Sequence, residues 1–360
     1  MNLPYFMRVA TMWQFLQWLG LALVRIGAPW FLAGLLVVGI GSCAAPQSGQ
    51  SPEVTLTLSS FAVTRAAHDH IIPKFVEKWK QEHNQTVRFR QSYGGSAAQA
   101  RAVIDGLEAD VVHLALSLDV TSLERANLID KGWEQELPEG AIVTRSVPVI
   151  ITRPGNPKNI RNWSDLATDG VQFITADPKT SGVARWNFLA LWNSAIKATG
   201  GTEQKALEFV RAVYTQNVPL LSRDAREATD AFYKQNQGDA LVNYENELLL
   251  AQSQGEKEPY VIPDVNISIE NPVAVVDAYA KKHGVTEVAN AFVRYLYSPE
   301  AQREFANVGF RPVEESVVRE TASKFPRVKS LSSAKDFGGW DAIQRKFFAD
   351  GALFDQIRRR

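Results

Sequence analysis

Cysteine is almost missing from this chain: Cys43 stands alone among 360 residues. A disulfide framework and any Cys-rich zinc module are thereby excluded. An excess of either charge is missing too, because 39 Lys and Arg balance 39 Asp and Glu. Nucleic-acid binders carry a clear basic excess, so that class falls away. The chain also lacks a GxSxG elbow, an HExxH pair, a GxxxxGK(S/T) loop and a GxGxxG fingerprint. His68 and His70 are two apart on an expected helix, face different ways and read as surface residues. No spacing among the carboxylates selects a pair for acid–base work. With no nucleophile, base or ligand cluster in view, the sequence predicts no enzyme, no metal and no cofactor. What is present is ordinary globular material, 45% hydrophobic and 22% charged, enough for about two domains.

The front of the chain is a targeting segment. Residues 1–43 carry no Asp or Glu, and their only cations are Arg8 and Arg25. A charge-free apolar run from Ile26 to Ile40 leads into Gly41-Ser42-Cys43-Ala44-Ala45-Pro46. Positive flank, apolar stretch and small-residue exit are the parts of a secretory signal. The run is short for a spanning helix. Ile40-Gly41-Ser42-Cys43 resembles a bacterial lipobox, which makes Cys43 the lipidated first residue of the exported protein. An ordinary signal peptide with an incidental cysteine, or a retained anchor helix, is the alternative. Residues 44–52, rich in Ser, Gln, Gly and Pro, read as a tether.

From Val54 one grammar repeats: a short apolar strand, a small-residue turn, an amphipathic helix. Val54, Leu56 and Leu58 alternate with threonines, the period of a strand, and Ile72, Phe75, Val76 and Trp79 share a helix face. Thr86–Arg90 reads as a second strand before Gly94-Gly95-Ser96, and Ala100, Val103, Ile104 and Leu107 follow at helical spacing. Val111–Leu116 is a continuous apolar run, as a buried parallel strand requires. The pattern returns at Val171–Thr175, at Lys179-Thr180-Ser181-Gly182 and at Val218–Leu221. Strands alternating with helices imply parallel sheets and an α/β fold. Val147–Thr152 and Val265–Ile269 read as crossings between two lobes. The expected division is 53–146 plus 272–360 for lobe 1 and 147–271 for lobe 2.

The positive functional signal lies in the turns. Gly94-Gly95-Ser96 and Ser181-Gly182 each stand between a strand and a helix. Such a helix start offers unpaired N–H donors and a partial positive charge, and serine adds a hydroxyl. Several of these ends meeting at one cleft would hold an oxyanion with no Lys or Arg touching it. Taken singly, each is also simply a well-capped helix.

At these turns the chain resembles the periplasmic sulfate-binding proteins of ABC uptake systems, particularly the cyanobacterial type. The shared stretches are Gln91-Ser92-Tyr93-Gly94-Gly95-Ser96, Asp105-Gly106-Leu107-Glu108-Ala109-Asp110 and Asp177 through Asn187. Tyr244-Glu245-Asn246-Glu247, Tyr297-Ser298-Pro299-Glu300 and Phe337-Gly338-Gly339-Trp340 extend the match in order along the exported part. The resemblance implies a two-lobed type II binding-protein fold with two hinge crossings. It also implies a monomeric periplasmic receptor that closes on sulfate or thiosulfate and delivers it to a membrane permease. It implies, further, a site of uncharged donors: Ala62, Ser96, Ser181, Gly182, Val183, Ala225 and Tyr244. Tyr244 stands where the best-known members have a tryptophan, and Val183 and Asp224 replace glycines. Asp224 beside a dianion is expected to point outward, towards Arg223 or Arg226. Arg185 and Arg226 are expected in structural ion pairs. Another oxyanion on the same fold, or an exported hydrolase, is the alternative.

Overall fold

A computed structural model describes residues 52–358; the signal and lipobox expected at 1–43, and all but the last residue of the tether expected at 44–52, lie outside the described residues. Among the described residues, twelve strands form two five-stranded sheets and one two-stranded ribbon. The first sheet has the order β2-β1-β3-β11-β4, from β1 (Glu53–Phe61), β2 (Thr86–Gly94), β3 (Val111–His113), β4 (Ile142–Ser146) and β11 (Ile269–Val275). The second has the order β7-β6-β8-β5-β9, from β5 (Pro148–Thr152), β6 (Phe173–Ala176), β7 (Leu221–Ser222), β8 (Ala240–Tyr244) and β9 (Tyr260–Val261). β1, β2 and β3 run parallel, as do β6, β7 and β8, while β11 and β5 are antiparallel to their neighbours. This is the two-lobed α/β architecture that the strand–turn–helix grammar implies.

The alternating pattern of β1 buries Leu56 and Leu58 completely, with the threonines on the other side. Helix α1 (Arg65–His83) covers the sheet with Ala67, Ile71, Ile72, Phe75 and Trp79. Phe75 reaches Phe292 edge-on at 5.1 Å, joining this helix to a later one over the same sheet. Helices α2 (Ser96–Ile104) and α3 (Ser117–Arg125) complete the first lobe's cleft side. In the second lobe, α4 (Gly182–Lys197) buries a run from Gly182 to Asn193. A mostly apolar helix buried on every face belongs in an interior, and the polar exceptions of α4, Arg185, Asn187 and Asn193, are buried with it. α5 (Glu203–Ala212), α6 (Ala225–Tyr233) and α7 (Glu245–Ser253) surround it.

The chain passes between the sheets at Ser146–Pro148 and again before Ile269, which already pairs with Ser146 three residues ahead of Pro272. To these two passages the structure adds a third. β10 (Val265–Ile267) lies parallel to β12 (Ser330–Ser332), and after β12 the chain packs on the second lobe. Phe347, Phe348 and Phe354 surround Phe188 of α4 at 5.5, 5.3 and 6.0 Å between ring centres. Trp340 meets Trp186 edge-on at 4.6 Å. The sequence reading places all of 272–360 with the first lobe, but from Trp340 onward the aromatic surface fits α4 instead.

His68 also departs from expectation. It is not a surface residue but fully buried on α1, where Nδ1 meets the Tyr93 hydroxyl of β2 at 3.0 Å and Nε2 meets His113 Nδ1 of β3 at 3.2 Å. Burial pushes His68 down to about 3 and His113 well below the ordinary imidazole value. A histidine held neutral in the fold but protonatable when unfolded binds more protons in the unfolded state. Its contribution to stability is therefore complete above about pH 6.5 and is lost as pH falls from there towards 3. In urea titrations from pH 7 to pH 4, His68→Gln should show a shallower acid loss of stability than the wild type; equal slopes would refute the assignment.

Candidate anion site

The carboxyl ends of the parallel strands of both sheets face one another, the usual position of a ligand in open α/β sheets. Each strand there gives way to a helix start. β1 runs into a single tight turn, Ala62–Thr64, that leads into α1. β2 ends at Gly94, and α2 opens at Ser96 behind Gly95. β6 leads through Asp177–Thr180 to Ser181, the residue just before α4, whose hydroxyl does not bond the helix start. β7 leads to Asp224 and α6, and β8 ends at Tyr244, where α7 begins.

These ends surround a small cavity of about 10 Å³. Ala62, Ser96, Ser181, Gly182, Ala225 and Tyr244 all line it, joined by Phe61, Val63, Gly94, Gly95, Ala115 and Asp224. Six of the seven residues implied for the site thus share one wall-to-wall space. Val183 is the exception, since its side chain packs in the core and is not among the lining residues. Cys43 lies outside the described residues.

The two lobes touch through glycine. A Cβ on Gly95 would strike the carbonyl oxygen of Thr180. One on Gly182 would sit 2.5 Å from Ala115 Cβ and 3.0 Å from Leu116 Cδ2. Neither glycine has a left-handed backbone, so close approach is the reason for each. The Trp186 indole N–H then donates across to the Ala115 carbonyl at 3.0 Å.

The hydroxyls divide into committed and uncommitted. Ser96 Oγ donates to Asp119 Oδ2 at 2.5 Å and accepts from the Ala115 N–H at 2.9 Å, so its hydrogen faces away from any ligand. What Ser96 offers the cavity is its backbone N–H at the start of α2. The hydroxyls of Ser181 and Tyr244 make no hydrogen bond to the described protein, although the residues are 3% and 1% exposed. Burial holds the Tyr244 phenol well above its ordinary pKa, with the charges of Asp119 and Glu247 adding to the effect, so it stays a neutral donor.

Two buried carboxylates stand behind these groups, each facing an arginine. Asp119 has Arg185 Nη1 at 3.6 Å, across the lobes, and Glu247 has Arg226 Nη2 at 2.8 Å. Burial raises both carboxyls, against the pull of their arginines. The structure corrects the expectation for Asp224. It pairs with neither Arg223 nor Arg226; its Oδ1 accepts the Glu227 N–H at 2.9 Å and caps its own helix. Arg223 pairs with Glu227 instead. The cavity wall therefore carries a capped carboxylate but no free cation.

Sequence reasoning missed Asp119, for no spacing marks a lone carboxylate in the first turn of a helix. It also missed Phe61 and Ala115, which are apolar residues in strand-like runs. Among the described residues, no group of three or more His, Cys, Asp and Glu side chains could hold a metal.

The model of the bacterial extracellular solute-binding protein family matches residues 56–311. A sulfate-binding protein of Synechococcus elongatus is 52% identical over 91% of this chain and 94% of its own length. A thiosulfate-binding protein of Pseudomonas aeruginosa is 38% identical over 91% and 98%. The solved sulfate-binding protein SubI of Mycobacterium tuberculosis superposes with a TM-score of 0.74 at 35% identity, covering 82% of this chain and all of its own. With its family model matched from β1 to the turn before Pro312, and relatives alike over nine-tenths of its length, this chain belongs to the bacterial extracellular solute-binding proteins.

Proposed function

We propose that this receptor captures sulfate in the closed cavity and delivers it to an ABC transporter, without chemistry of its own. The observation that carries the ligand class is the pair of cavity-lining residues Ser181 and Tyr244, whose hydroxyls make no hydrogen bond to the described protein, beside several helix N-termini. Donors of that kind suit an oxyanion that carries no proton. Sulfate at neutral pH leaves no O–H stranded among N–H groups, whereas protonated phosphate does. The sulfate-binding names of the relatives support the same choice. Thiosulfate, of like charge and shape, is the competitor to test first, because a thiosulfate-binding protein is also among the relatives. The site residues in this reading are Ala62, Ser96, Ser181, Gly182, Val183, Ala225 and Tyr244, with Ser96, Gly182, Val183, Ala225 and Ala62 acting through main-chain N–H groups. The receptor works as a monomer in the periplasm, held to the membrane by a lipid on Cys43.

Three experiments check this. Calorimetric titration with sulfate should show Ser181→Ala and Tyr244→Phe each weakened by about tenfold to a hundredfold, the worth of one hydrogen bond to a charged group. Affinities unchanged in both would refute the site. Gly182→Ala should hold the lobes apart, so that sulfate no longer contracts the protein in small-angle scattering; wild-type contraction would mean that α4 yields. Cys43→Ser should move the protein from the membrane to the soluble fraction of the cell envelope, and a variant that stays on the membrane would remove the lipid from the account.

A further inference from the structure

We propose that Asn243 is the positioning residue of the second lobe's half of this site, an inference that rests on the oxyanion reading above. Asn243 lies in β8 and is completely buried. Its Nδ2 donates to the Ala225 carbonyl at 2.8 Å and to Thr229 Oγ1 at 3.0 Å. Its Oδ1 accepts the N–H of Tyr244 at 2.9 Å. One planar amide is therefore bonded at one end to the first turn of α6 and at the other to the residue that carries the cavity's phenol. Ala225 and Tyr244 are both wall residues of the cavity, yet they come from different elements.

The consequence is geometric. A main-chain N–H has no rotamer of its own, so its aim is set by where its helix turn sits. A ligand gripped by such donors loses affinity when that turn shifts by a fraction of an ångström. Thr229 continues the bracket: its hydroxyl lies 2.8 Å from Glu247 Oε2, and Glu247 is held by Arg226. α6, β8 and α7 are thus clamped at a fixed spacing by side chains that do not line the cavity themselves. Asn243 is well suited to the centre of this clamp, because only a side-chain amide donates in two directions while accepting in a third.

The test uses the exported protein purified from its own host membrane or periplasm, with sulfate and the larger molybdate as probes. Asn243→Asp keeps shape and acceptor but turns an oxygen towards the Ala225 carbonyl, and Thr229→Val removes one partner while leaving Asn243 in place. Near-ultraviolet circular dichroism establishes that each is folded. Sulfate affinity should fall by about tenfold or more in Asn243→Asp and by less in Thr229→Val. The preference for sulfate over molybdate should fall in both, which a residue that merely stabilised the lobe would leave alone. Folded variants with wild-type affinity and wild-type preference would overturn the role of Asn243. A wild-type protein silent towards both anions would instead overturn the oxyanion reading.

Discussion

The contact between the first turn of α4 and the segment after β3 governs the rest of the site. Gly182 meets Ala115 with no room for a methyl group, and this brings Trp186 within reach of the Ala115 carbonyl. The same approach sets Arg185 against Asp119. Asp119 in turn fixes Ser96, whose hydroxyl accepts from the Ala115 N–H. One close approach thereby organises donors from both lobes around a single small volume. Closed packing of this sort is discrete: two surfaces that interdigitate either meet in register or do not meet.

The electrostatics follow a consistent rule. Apart from Asp224, whose carboxylate caps its own helix at the wall, the charges behind the cavity occur as pairs set back from it, Asp119 with Arg185 and Glu247 with Arg226. Each pair brings no net charge, and each carboxylate takes a hydroxyl hydrogen, from Ser96 in one case and Thr229 in the other. What remains at the wall is the field of helix ends, neutral hydroxyls and the one helix-capping carboxylate of Asp224. Such a wall suits a dianion better than a free arginine would in one respect. Its donors are fixed before the ligand arrives, so little reorganisation is required.

Much of this was legible before the structure. The alternation in Val54, Leu56 and Leu58 and the apolar run at 111–116 place strands, though β3 keeps only Val111–His113 in its ladder. The small-residue turns at Gly94–Ser96 and Ser181–Gly182 mark helix starts that do converge. Contacts between distant segments were not legible. His68 reads as a surface residue because nothing local reveals that His113, from β3, will sit against it. Asp224 looks repulsive until its own helix start takes up the carboxylate. The C-terminal aromatics carry no mark of which lobe they serve, since burial partners depend on the closed three-dimensional surface rather than on spacing.

The ribbon of β10 and β12 has a mechanical consequence. Two strands passing side by side between rigid bodies permit both bending and twisting. A third strand, tied to the second from Val265 to Ile267 and again where the Ser268 N–H donates to the Ser332 carbonyl, resists twist while leaving the bend soft. A twist of one lobe against the other would therefore have to break the hydrogen bonds of this ribbon, whereas a bend need not.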